Sequence, residues 1–172
     1  WDAEPGDPDP PTSEQVALAE DVVALVRIPA FGGDYVVPVF AGTDDDTLER
    51  GFGMFTSSPE PGGVGNFALT GHRITHGEPL RAMPDLVAGD TVVVETRDRV
   101  FTYVLDTGGE DLTVDRDATW VTEPLPVDPD GGDVTPVDDE RLLTLVTCSE
   151  LFHTDGRLVA FGHLESTEPR SR

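Results

Sequence analysis

Lysine is absent from this 172-residue chain: all eleven basic residues are arginines, set against 34 aspartates and glutamates, for a formal net charge of -23. A chain so short of positive charge repels phosphate backbones, which argues against nucleic acid as a partner. The surplus of acid reads first as solubility, including at high ionic strength. Cysteine is nearly absent too. The single one, Cys148, cannot close an internal disulfide, so a disulfide scaffold is excluded. Long apolar runs are missing: the longest extends over a handful of residues, against the roughly 18 that a membrane span needs. The chain nevertheless opens at Trp1, directly into "DAEPGDPDPPTSE", and the lack of an initial methionine implies an anchor or signal preceding it in a longer chain.

What is present suits one domain with tails, since domains run to roughly 100 to 200 residues. Residues 1–14, rich in Pro, Asp and Glu, cannot bury enough apolar surface to offset the entropy of ordering and read as a disordered linker. Residues 166–172 read as a disordered tail, leaving 15–165 as the folded body. Its dominant signal is strand: 22–28, 34–40, 66–71, 90–96, 100–106, 142–148 and 157–164 are short and rich in β-branched and aromatic residues. The polar stretch Arg97 to Arg99 predicts a tight hairpin turn. Helical signals are few: "SEQVALAED" with Ser13 as N-cap, "DTLERG" and "PLRAMPDLV". Seven or eight strands with Gly- and Pro-rich connections predict an all-β domain, a closed or nearly closed barrel. One connection is long: residues 122–140 carry Pro, Gly and Asp without periodicity, just before the strand that ends at Cys148.

A lone thiol at a strand end has a plain reading as a small buried hydrophobe. The chemical reading needs a histidine to activate the thiol, because the thiolate is the nucleophile, and a donor for an oxyanion. His72 follows a strand and Gly71, where the backbone can turn sharply and present a ring at the sheet edge. Arg157 opens the last strand nine residues after Cys148. If the two strands are neighbours, guanidinium and thiol open onto one face, where a fixed cation can hold a developing negative charge. His76 falls in a loop, His153 between Cys148 and Arg157, and His163 inside the last strand, where packing explains it. No further ligands at useful spacing accompany His72 and His76, so no metal and no cofactor is implied.

Taken together, these residues resemble a known family. "TLVTCSELFHTDGRL" is similar to the TLxTC-loop-Arg signature of sortases, the Gram-positive cysteine transpeptidases, and "NFALTGHR" to their histidine motif. "RIPAFGGDYVVPVF", "LERGFGMF", "PGGVGNFALTGHR" and "AGDTVVVETRDRVFTYVL" resemble class E sortases of actinobacteria in order and spacing, over roughly residues 20 to 165. The resemblance implies an eight-stranded sortase-type β-barrel with His72, Cys148 and Arg157 as the catalytic set. It further implies cleavage of an LAxTG- or LPxTG-like sorting signal between Thr and Gly through a thioester, with Thr147 helping to position the signal. The acceptor would be an amine of a peptidoglycan precursor or a pilin, and the enzyme would sit on the extracellular face of the membrane, anchored through an N-terminal segment absent from this chain.

The chain departs from the class pattern at two positions. Phe55 stands where class E members commonly carry a tyrosine associated with LAxTG preference, which removes a hydroxyl near the second signal residue and leaves the choice between LAxTG and LPxTG open. His76 replaces a tyrosine of the "HRTTYG" stretch, close to His72, where it either tunes the site or stands in for an aromatic. Both are candidate substrate-binding positions. Asp128, Asp130, Asp133, Asp138, Asp139 and Glu140 offer oxygens of the kind calcium favours but lack an EF-hand pattern and read as a solvated loop. "DPDPP" has no aromatic with which an N-terminal lid could plug a site. Two alternatives remain open: an L,D-transpeptidase-like cell-wall enzyme, whose nucleophile usually sits in an S-H-G-C-x-R run, and a secreted, non-enzymatic β-barrel binding module.

Overall fold

The computed structural model describes residues 22–48, 50–72, 80–109, 111–115, 118–123, 126, 141–148 and 156–169. Among the described residues, nine strands follow in chain order: β1 (Val22–Arg27), β2 (Val37–Ala41), β3 (Phe52–Met54), β4 (Gly65–Thr70), β5 (Thr91–Glu95), β6 (Arg99–Leu105), β7 (Leu112–Asp115), β8 (Arg141–Cys148) and β9 (Gly156–Pro169). They form one sheet in the order β6-β5-β1-β2-β3-β4-β8-β9-β7, and β6 also pairs with β9. That extra pairing closes β6, β5, β1, β2, β3, β4, β8 and β9 into an eight-stranded barrel, as expected from the sequence, with β7 as a short ninth strand outside the ring.

Closure depends on β9, which serves two neighbours. Arg157 to His163 pair antiparallel with β8, and Gly162 to Pro169 pair antiparallel with β6. At the changeover, a Cβ on Gly162 would meet the Val104 carbonyl oxygen at 2.6 Å, a backbone atom that cannot move aside. Glycine there lets the two strands approach. Period-2 alternation then sends one face of each strand inward. Ala24, Val26, Val39, Phe67, Leu69, Val92, Val94, Leu143, Leu145, Leu158 and Ala160 fill the barrel interior. The opposite faces of β8 and β9 carry a second, smaller cluster of Val146, Val159 and Phe161 with Val121 from the 3-10 turn Thr119–Thr122. The barrel therefore has a dry inside and, on one outer wall, a partly covered apolar face.

Several expectations need correction. The last strand does not stop near residue 165: Ser166 to Pro169 belong to β9, paired with the β6 segment Arg99 to Thr102. Their polar composition reads as a tail, yet the open edge of β6 gives their backbone groups hydrogen-bond partners. "PLRAMPDLV" yields only the 3-10 turn Met83–Asp85, because Pro84 has no N–H to continue a helix. "DTLERG" yields one helical turn, α1 (Asp45–Leu48). β2 begins at Val37 rather than 34, and β3 and β7 were not foreseen. The hairpin turn appears as expected, with the Thr96 N–H donating to the Arg99 carbonyl at 2.9 Å. Residues 1–14, "SEQVALAED" and most of 122–140 lie outside the described residues.

Tyr103 spans the barrel interior, and its hydroxyl accepts a hydrogen bond from the Gly62 N–H at 2.8 Å. Burial pushes its phenol up to about 12 despite that bond and the nearby Arg141. Burial likewise raises Tyr35. These are the two tyrosines of a chain without lysine, so alkaline titration singles them out. An unfolded phenol ionises near pH 10 while the folded one holds its proton to about 12. This stability is therefore fully present below pH 10 and lost as pH rises from about 10 toward 12. The urea midpoint should fall over that interval, and Tyr103→Phe should blunt the fall. Gly162→Ala should lower stability at neutral pH by about 1–3 kcal/mol through overpacking of the seam, read from the same unfolding curves.

Candidate active site

Three strand ends meet at one rim of the barrel. β4 and β8 run parallel, with Thr70 opposite Val146, so the residues that follow each leave from the same end. β9 starts at that end and runs antiparallel to β8, which sets Cys148 directly opposite Arg157. Alternation places positions 144, 146 and 148 of β8 on the outer face, together with positions 157, 159 and 161 of β9. On β4 the same face takes positions 66, 68 and 70, and the period continues to 72.

The segment bearing His72 is tied to β8 beyond the end of β4. The Gly71 N–H donates to the Val146 carbonyl at 3.4 Å, extending the parallel ladder by one step. The Thr147 hydroxyl, buried at 1% exposure, donates to the Gly71 carbonyl at 2.8 Å. The Leu80 N–H closes back onto the His72 carbonyl at 3.0 Å. His72 and Arg157 are each half-buried. The histidine-bearing backbone is thus clamped beside the cysteine-bearing strand.

A groove of about 260 Å³ runs over this outer face. Thr70, Val146 and Arg157 line its floor. Thr43, Leu48 and Phe55 stand on one side, and Val114, Ala118, Val121 and Thr122 on the other. Both sides are fastened to β4. The Phe55 N–H donates to the Ala68 carbonyl at 3.1 Å, and the Ser58 hydroxyl accepts from the Ala68 N–H at 2.9 Å. On the far side, the Asn66 amide donates to the carbonyls of Val121 and Glu123, both at 2.9 Å, and accepts from the Thr144 hydroxyl at 2.7 Å. Asn66 and Thr144 are buried at 1% and 0% exposure.

Of the residues singled out from the sequence, Cys148, Arg157, Phe55 and the His72 segment come together at this rim. Thr147 neighbours Cys148 on β8, and its hydroxyl, by donating to the Gly71 carbonyl, ties this strand to the His72 segment. His163 lies elsewhere. It sits six residues along β9 from Arg157, roughly 20 Å at strand rise, and its Nδ1 is 2.7 Å from Asp106 Oδ1. His76, His153 and the acids from Asp128 to Glu140 lie outside the described residues. Among the described residues, no group of three or more His, Cys, Asp or Glu is placed to hold a metal ion. Sequence reasoning missed Asn66, Ser58 and Thr144. A polar Asn66 opening an otherwise apolar strand was the available signal.

Residues 26–165 match the family model described as the Sortase domain. The chain belongs to the sortase family. It is 36% identical over 158 residues to Sortase SrtE1 of Streptomyces coelicolor, an alignment covering 87% of this chain and 42% of that protein. The chain therefore spans about two-fifths of the length of this curated relative. Among solved structures, it is similar to sortase E from Streptomyces avermitilis, with 35% identity, a TM-score of 0.74, and coverage of 87% of this chain and 91% of that one. It is also similar to Sortase E1 from S. coelicolor with a tripeptide in the active site, with 32% identity, a TM-score of 0.75 and the same coverages. The expected likeness to class E sortases of actinobacteria thus holds for both sequence and fold.

Thr147 offers a direct check on the clamp. Thr147→Val keeps the side-chain volume but leaves the Gly71 carbonyl without its donor, and should cost about 1–3 kcal/mol in urea unfolding. Amide hydrogen exchange at Gly71 and His72 should speed up more than exchange in the barrel interior.

Proposed function

We propose that this chain is the catalytic domain of a cysteine transpeptidase that cleaves an LAxTG- or LPxTG-like sorting signal between Thr and Gly. The single observation that carries the reading is the strand register at the rim, with Cys148 opposite Arg157 and the His72 segment laddered onto β8. The peptide held in the active site of the S. coelicolor relative is in keeping with a peptide substrate.

In this reaction the Cys148 proton passes to His72, and the thiolate attacks the Thr carbonyl carbon. Negative charge develops on the carbonyl oxygen, where the Arg157 guanidinium can donate to it. Collapse of the tetrahedral intermediate breaks the Thr–Gly bond. His72 gives its proton to the departing glycine amine, and a thioester remains on Cys148. An incoming amine then attacks the thioester and gives a proton to His72. A new amide bond forms and the thiol is restored, so bonds and protons balance over the two halves. The amine comes from a peptidoglycan precursor or a pilin lysine. The domain works on the extracellular face of the membrane, held by an N-terminal segment of a longer chain.

Phe55 stands in the groove wall and presents ring surface without a hydroxyl to the second signal residue. Apolar contact alone discriminates Ala from Pro modestly, so both peptides should be substrates within about 100-fold of each other. A role for His76 in substrate binding, four residues after His72 in the chain, belongs to the same proposal.

Incubation with LAxTG and LPxTG peptides should give a mass increase on Cys148 equal to the acyl fragment through Thr. Cys148→Ala should abolish both adduct and turnover. His72→Ala and Arg157→Ala should each lower kcat/KM by about 100-fold or more while the unfolding midpoint stays close to wild type. Absence of any adduct with either peptide removes the substrate assignment, and undiminished turnover in Cys148→Ala removes the mechanism.

A further inference from the structure

The buried amide of Asn66 does more than fill a strand position. Its two N–H groups reach the carbonyls of Val121 and Glu123 at 2.9 Å each, and its oxygen takes the Thr144 hydroxyl hydrogen at 2.7 Å. Three of its hydrogen-bonding positions are thus used, and the orientation of the amide is fixed by the chemistry of its partners: two acceptors on one side, one donor on the other. The partners sit on different elements. Thr144 belongs to β8, four residues before Cys148, and Asn66 to β4, six before His72. Val121 and Glu123 belong to the segment that forms one side of the groove.

We infer that Asn66 is a specificity-determining positioning residue, latching the Ala118 to Thr122 wall of the groove to the two strands that carry the reacting groups. The inference rests on the sortase reading of the same rim. Through this latch, the distance from the wall to the floor is set by side-chain hydrogen bonds rather than by apolar packing alone, which tolerates slippage. Val121 contributes to the outer apolar cluster with Val146 and Phe161, but such contacts are non-directional. Directional bonds to two carbonyls at the start and end of a Val-Thr-Glu turn hold both its height and its tilt. Wall contacts made with bound peptide before and during reaction act on KM more than on kcat. The thiol chemistry at Cys148 does not run through them.

The test compares Asn66→Asp, Thr144→Val and Thr144→Ser with the wild-type chain on fluorogenic LAxTG and LPxTG peptides. Alkylation of Cys148 by iodoacetamide, unambiguous in a chain with one cysteine, reports the thiol independently. Asn66→Asp removes both donors and sets a carboxylate against two carbonyls, and should raise KM about 10-fold or more with kcat and the alkylation rate within about twofold of wild type. The ratio of kcat/KM for the two peptides should also change. Thr144→Val keeps the volume and removes one hydrogen bond, so it carries the test in a folded chain should the Asp variant not fold; its KM should rise about threefold, and Thr144→Ser should restore wild-type values. Unchanged KM and peptide ratio in Thr144→Val and in folded Asn66→Asp overturn the inference and leave the proposed function standing. A joint fall of kcat and alkylation rate at constant KM also overturns it, by making the residue a general support of the site. No turnover or adduct in the wild-type chain overturns the proposed function and the latch together.

Discussion

Everything at the rim depends on β8 holding one register against both of its neighbours. Cys148 stands opposite Arg157, and Thr70 opposite Val146, because six residue pairs along β4 and seven along β9 are fixed at once. A slip of one residue would turn Leu143 and Leu145 outward and bring Thr144, Val146 and Cys148 into the barrel. Both sides of β8 forbid this. Leu143 and Leu145 on its inward face are fully buried, and its outward face carries the Thr144 hydroxyl that Asn66 requires. Register at the chemical end is thus secured by packing and hydrogen bonds that lie up to six residues away from it.

The same logic explains why the site lies outside the barrel. The interior is filled by side chains from every strand of the ring, including Tyr103 and Phe67, whose rings stack at 6.3 Å. A filled interior has no room for a ligand, and the groove lies on the outer wall. There, β7 and the turn Thr119–Thr122 on one side and the Phe55 loop on the other raise a groove over β4, β8 and β9. Both sides are bonded to β4, so floor and walls form one unit whose geometry does not rely on the packing of exposed loops.

Much of this was legible from residues alone, for reasons that can be named. The ring strands that carry four or more β-branched, aliphatic or aromatic residues announced themselves by composition. Cys148 and Arg157 stood out as residues that neighbouring strands would bring onto one face, and the register of β8 against β9 sets them opposite each other. β3 and β7 escaped notice because they are three and four residues long, with Gly53 inside β3. The end of β9 was misread because a run of Glu, Ser and Thr gives no hydrophobic signal. It is ordered by the backbone needs of β6, which composition does not encode. The hydrogen bond from Thr147 to Gly71 was not legible, because it joins residues 76 positions apart. The latch at Asn66 joins residues 55 and 78 positions apart and has no local signature beyond a polar residue in an apolar strand.

We propose the rim formed by β4, β8 and β9 as the place where a sorting peptide is held for attack. A crystal structure of the chain with a peptide aldehyde based on LAxT, captured on Cys148, tests it most directly. The expected result is a covalent hemithioacetal at Cys148, the peptide lying between Phe55 and Val121, and its oxygen facing the Arg157 guanidinium. A peptide bound away from this groove, or an adduct whose oxygen points away from Arg157, would contradict it.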